Sequence, residues 1–100
     1  MKAFTILYTI AAAMPLTALA ECVAPSPPAE PPNGATATRE EMVAAQAAIK
    51  GYDAAAAKYS ECVRKDGGNP VKAGETIRAV ERLAAQFNAE LRVFKQRNGG

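Results

Sequence analysis

The chain has no histidine and no tryptophan, only two cysteines, and three each of Phe and Tyr among 100 residues. The missing histidine removes the commonest general base and the commonest metal ligand. Two thiols are too few for a structural metal site by themselves, and they do not stand close together as a C-x-x-C redox pair. So few aromatics rule out a broad core and favour a thin, close-packed one. The chain also lacks the basic stripe with stacking aromatics that nucleic-acid binders carry, because acidic and basic residues alternate along it. No enzyme chemistry, no cofactor and no nucleic-acid partner is expected.

What the sequence does have begins with an address. Residues 1–20, MKAFTILYTIAAAMPLTALA, combine Lys2, an apolar run from Ala3 to Ala13, Pro15, and Ala18-Leu19-Ala20 in the A-x-A form of a signal-peptidase site. Cleavage after Ala20 is expected, giving a periplasmic or secreted protein with no integral span. The alternative is a retained anchor, since the apolar run is near the lower limit for crossing a bilayer. A lipoprotein site at Cys22 is disfavoured by Glu21 before it. Without Lys2 the remaining chain carries eleven basic and ten acidic side chains, a net charge near +1.

About 80 residues make a small domain of marginal stability. In an exported chain an even cysteine count reads as oxidised, which predicts a disulfide between Cys22 and Cys62. Closing that loop constrains the unfolded chain by roughly 4 kcal/mol.

Residues 21–37 form a Pro-rich arm. Five of the seven prolines fall between Glu21 and Gly34, which excludes a helix and favours polyproline II. Pro25, Pro28 and Pro31 recur every third residue and therefore share one face, with Pro27 and Pro32 on others. From Cys22 to Pro32 such an arm advances about 31 Å, and from Thr38 to Cys62 a helix advances about 36 Å. With Asn33-Gly34 as the reversal, the arm runs back along the helix and Cys22 arrives beside Cys62. In this register Tyr59 falls between Cys22 and Pro25, and Tyr52 between Pro25 and Pro28.

The remainder, residues 38–98, predicts an all-α, coiled-coil-like antiparallel two-helix hairpin laced to the arm by the disulfide. Its first helix spans about 38–65. Thr38 and Glu41 make a T-x-x-E capping box, with Glu40 favourable at the N-terminal dipole. Met42, Ala45, Ile49, Tyr52, Ala56, Tyr59 and Val63 follow a 3,4 spacing. Asp66-Gly67-Gly68-Asn69-Pro70 stops the helix, and a second spans about 71–97; its start falls between Asn69, which can cap Pro70, and Glu75, because Gly74 weakens the first turns. Its stripe is Ala73, Ile77, Val80, Ala84, Phe87, Leu91 and Phe94, widened by Leu83. Val43, Val71 and Val93 lie off these stripes. With Leu83 they make up the expected interaction surface, open to the proline arm, a second protomer or a foreign helix.

PPNGATATREEM, AQAAIKGYDAA and KYSECV, between Pro31 and Val63, resemble segments of small uncharacterised exported bacterial proteins. Those have a processed signal, a cysteine beside a Pro-rich arm, a T-x-E-E-M helix start and a Y-x-x-C helix end. Thr38, Glu40, Glu41, Met42, Tyr52, Tyr59 and Cys62 match that pattern. The likeness covers about a third of the chain and implies export and architecture, with no activity attached.

No catalytic constellation is present. Glu40 and Glu41 are explained by the cap, and Ser60 has no histidine to activate it. Lys50 and Asp53 form a routine surface pair, Lys58 reads as solvated, and Asp66-Gly67-Gly68-Asn69 lacks the later acidic ligand of a calcium loop. Arg78, Arg82, Arg92, Lys95 and Arg97 make the second helix locally basic, but interspersed Glu75, Glu81 and Glu90 favour a solvated face over a surface for an anionic lipid or acidic partner. The function expected is therefore protein interaction or self-association in the cell envelope, through an unknown partner or a homodimer. The alternative is weak binding of an anionic membrane surface through the basic second helix.

Overall fold

The structure, a computed structural model, describes residues 22–99. The leader expected over residues 1–20 and its cleavage site lie outside the described residues. Two helices, α1 (Arg39–Asp66) and α2 (Pro70–Arg97), form an antiparallel hairpin. No strand occurs among the described residues. The extended arm before α1 packs against both helices.

Local sequence sets each boundary. At the start of α1 the Thr38 hydroxyl accepts from the Glu41 N–H at 3.1 Å, and the Glu41 carboxylate accepts from the Thr38 N–H at 2.9 Å. Both halves of the capping box are thus made. The helix ends at Gly67, whose φ of 86° suits glycine and whose N–H donates to the Val63 carbonyl at 3.0 Å. After Gly68, the Asn69 side chain accepts from the Val71 and Lys72 N–H groups, and Pro70 takes the first helical position, where its missing N–H costs nothing. A three-residue link between two 28-residue helices leaves them no choice but to fold back.

Met42, Ile49, Tyr52, Ala56, Tyr59 and Val63 of the expected α1 stripe are buried, and Ala45 is half-buried. The α2 stripe is rotated from the expected one. Ala73, Thr76, Leu83 and Phe87 are its buried residues, while Ile77, Ala84 and Leu91 are only half-buried. Leu83, expected at an interaction surface, is 1% exposed and packs in the core with Met42, Ile49, Tyr52 and Phe87. Its assignment to an interaction surface is therefore corrected. The rotation has a cause: the arm lies on the Thr76 side of the seam and removes that side from water.

The arm runs antiparallel to α1 and hence alongside α2 in the same direction. Cys22 and Ala24 pack against Tyr59, Val63 and Ala73. Residues Ala24–Pro27 border a depression with Tyr52, Lys72, Glu75, Thr76 and Ala79, and Pro28–Pro32 border one with Ala44, Ala45 and Ala48. Pro25, Pro28 and Pro31 are half-buried and Pro27 is exposed, as threefold periodicity requires. Pro32 is half-buried as well, because the chain begins to turn there.

The reversal is held by contacts that span more than 50 residues of sequence. The Gly34 N–H donates to Glu90 Oε1 at 2.7 Å, and Arg97 donates to the carbonyls of Gly34 and Ala37. Gly34 is buried so tightly that a Cβ there would lie 2.0 Å from the Glu90 carbonyl oxygen. Gly51, exposed within α1, would place a Cβ in open space. The same substitution is accordingly expected to act with opposite sign at the two sites. In urea titrations Gly34→Ala should lose roughly 2 kcal/mol by overpacking, whereas Gly51→Ala should gain up to about 1 kcal/mol through helix propensity.

Candidate binding groove

Two helices packed along one seam leave a groove on either side of it. In this chain the two grooves have different fates. The first is filled by the arm, which is fixed at one end by the Cys22–Cys62 disulfide, with a Cα–Cα distance of 5.7 Å, and at the other by the Gly34 clasp. Between these anchors Glu30 reaches Arg82 of α2 at 3.5 Å. That pair is more than half exposed and adds little stability.

The second groove, on the opposite side of the seam, is open. One part of it lies at the end where α1 starts and α2 finishes. A depression of about 330 Å³ is lined there by Arg39, Met42, Val43, Gln46, Phe87, Leu91, Phe94, Lys95 and Asn98. A second depression near the helix link is lined by Ser60, Val63, Arg64, the glycines of the link, Pro70, Ala73, Gly74 and Ile77. Met42, Phe87 and Val63 show their edges here and are otherwise core. Leu91, Phe94 and Ile77 are half-buried, so their outer surfaces still face water.

The exposed valines do not form one patch. Val43 is 57% exposed and lines the open groove. Val71 and Val93 are 67% and 39% exposed and sit eleven residues before and after Arg82, a spacing that returns to almost the same helix face. They therefore follow the outer edge of the arm side, away from Val43. Val43 marks the open groove; Leu91, Phe94 and Ile77, which complete it, were hidden in the sequence because they belonged to the expected seam.

No protein-family model, curated protein or solved structure matches the chain. The chemistry available must be read from the residues alone. Glu41 is engaged in the cap, and Ser60 sits at the link-end depression with no histidine in the chain to activate it. The sulfurs of Cys22 and Cys62 and a carboxylate oxygen of Asp66 lie within 4.8 Å of one another. Bonded to each other, the sulfurs are not thiolates and do not act as metal ligands. Of the basic side chains on α2, Arg82 faces Glu30, and Arg97 holds the reversal and lies 5.3 Å from the Phe94 ring centroid. Arg78, Arg92 and Lys95 are exposed. No described helix is long and apolar enough to cross a membrane.

Proposed function

We propose that this chain is a non-enzymatic, exported binding module whose working surface is the open groove between α1 and α2. The carrying observation is the inequality of the two grooves: one is filled by the chain's own arm, and the other presents Val43, Leu91, Phe94 and Ile77 to solvent. A hairpin that needed both sides closed for stability gains nothing from leaving one open, so an apolar groove of this kind supports recognition of another surface. The disulfide supports an oxidising compartment, and residues 1–20 have the pattern of a leader. The cell envelope is the setting this favours.

The test is positional. A photo-crosslinking residue is placed in the cell at Val43 or Lys95, which line the open groove, and at Ala85, which helical spacing sets opposite the buried Leu83. Adducts from positions 43 and 95, and none from 85, are expected. Equal adducts at all three positions, or none at the groove, contradict the reading. A peripheral membrane role is the second reading, supported by the exposed Arg78, Arg92 and Lys95. Salt-sensitive sedimentation with anionic vesicles, lost on reversing those three charges, would establish it in place of the first.

A further inference from the structure

We infer that the occupant of the open groove is an amphipathic helix of another protein, anchored by apolar side chains and acidic where it passes the groove's two ends. This rests on the open groove being the working surface and adds the chemistry of what fills it. The groove is a recess between two helices, the place a third helix takes in a three-helix bundle. On the other side of the seam the arm already occupies the equivalent place. A bilayer is flat and does not follow a recess, so the apolar outer surfaces of Leu91, Phe94 and Ile77 are better matched by a ridge than by a plane. From Val43 to Ser60 the groove follows about 26 Å of α1, which a helix of about 18 residues covers.

Charge selects among helices. The depression at the start of α1 is lined by two cations, Arg39 and Lys95, and by no carboxylate. Neither cation has an ion-pair partner among the described residues. The link-end depression is lined by Arg64 and again by no carboxylate, the Glu61 that pairs with Arg64 standing outside it. Charges near the groove's middle are mixed: Asp53 stands one heptad from both Gln46 and Ser60, Glu81 four residues after Ile77, and Lys50 one heptad after Val43. The recess is thus lined by cations at both ends, and the stretch between them carries both signs.

A second copy of the chain fits this pattern badly. A twofold axis across the hairpin would set Arg39 and Lys95 against Arg64. A twofold axis along the hairpin would set each end against its own copy. Closed symmetry pairs like with like in both cases, at a cost in repulsion. A foreign helix with carboxylates beside Arg39, Lys95 and Arg64 is complementary at each point.

The experiment uses the oxidised chain and a displayed library of helices of about 18 residues, long enough for about 27 Å. Leu is fixed at 3,4-spaced positions, and Glu, Lys or Gln is allowed at every flanking one. Selection is expected to enrich Glu at both ends, with binding lost in a Val43→Asp/Leu91→Asp variant. Charge reversal in an Arg39→Glu/Lys95→Glu variant should favour Lys at the matching end by at least tenfold. Binders lost in Val43→Asp/Leu91→Asp but enriched equally in Glu, Lys and Gln overturn the acidic helix and leave the groove standing as the working surface. Failure to enrich any helix, or binders indifferent to both variants, overturns the groove as well. A dimer in sedimentation that Val43→Asp dissolves would replace the foreign helix by a second copy. Binding to anionic vesicles abolished by the same variant would replace it by a membrane.

Discussion

Cys62→Ser is expected to lower unfolding stability by about 4 kcal/mol, because the disulfide closes a separation of 40 residues and so restricts the unfolded chain over the arm, the reversal and most of α1. A described domain of 78 residues has a total stability of roughly 4–12 kcal/mol, so this loss takes a third or more of it. The thermal midpoint should fall by about 15–30 °C. Cys22→Ser should match it, and the double variant should cost no more than either single one, since all three remove the same constraint. The arm should also leave its groove, exposing the buried Tyr52 and Tyr59 to solvent, a change visible in tyrosine fluorescence. A loss under about 1 kcal/mol would mean that the arm is held by the Gly34 clasp alone and that the disulfide adds little.

Leu83→Ala is the second large effect, at about 3 kcal/mol within the usual 2–5 kcal/mol for emptying a fully buried leucine site. The core has few large side chains, and Leu83 is its most completely enclosed, touching both the α1 stripe and Phe87. Leu91→Ala should cost about half as much, because Leu91 keeps part of its surface in water. Val93→Ala, on the outer edge of the arm side, should stay within about 0.5 kcal/mol. Urea denaturation of the three variants fixes the rotation of α2 about its axis. If Leu91 outweighed Leu83, the seam would instead follow Ile77, Ala84 and Leu91, and the open groove would not exist.

That rotation marks the limit of what the sequence made legible. The ends of α1 were legible because they depend on local chemistry, the Thr38–Glu41 box and the glycines after Asp66, whereas the start of α2 was bracketed only between Asn69 and Glu75 because Gly74 argued against an early start. The disulfide and the run of the arm were legible because polyproline II and α-helix have fixed rises, which constrain where Cys22 arrives. The α2 face was not, because its 3,4 spacing admits two stripes. One passes through Ile77, Ala84 and Leu91 and is wholly apolar. The other passes through Thr76, Leu83 and Glu90 and contains two polar residues. Burying Thr76 and half-burying Glu90 is tolerable because Thr76 donates to the Lys72 carbonyl at 2.9 Å and Glu90 accepts from the Gly34 N–H. The second partner comes from the reversal, 56 residues away in sequence, and no local pattern announces it.

The same long-range contacts reassign the basic residues of α2. By composition Arg82 and Arg97 belonged to a locally basic, solvated helix face. In the fold they face Glu30 and the carbonyls of Gly34 and Ala37, so they hold the arm. Lys95, which reads no differently from them in sequence, lines the open groove.

In this fold the arm closes one groove and leaves the other empty. A nuclear Overhauser spectrum of the oxidised protein tests it most directly. Cross-peaks from the Tyr52 ring to Ala24 and Pro25, and none from any arm proline to Val43, Leu91 or Ile77, are the predicted result. Cross-peaks from the arm prolines to Val43 and Leu91, with Tyr52 and Thr76 free of them, would place the arm in the other groove and contradict it.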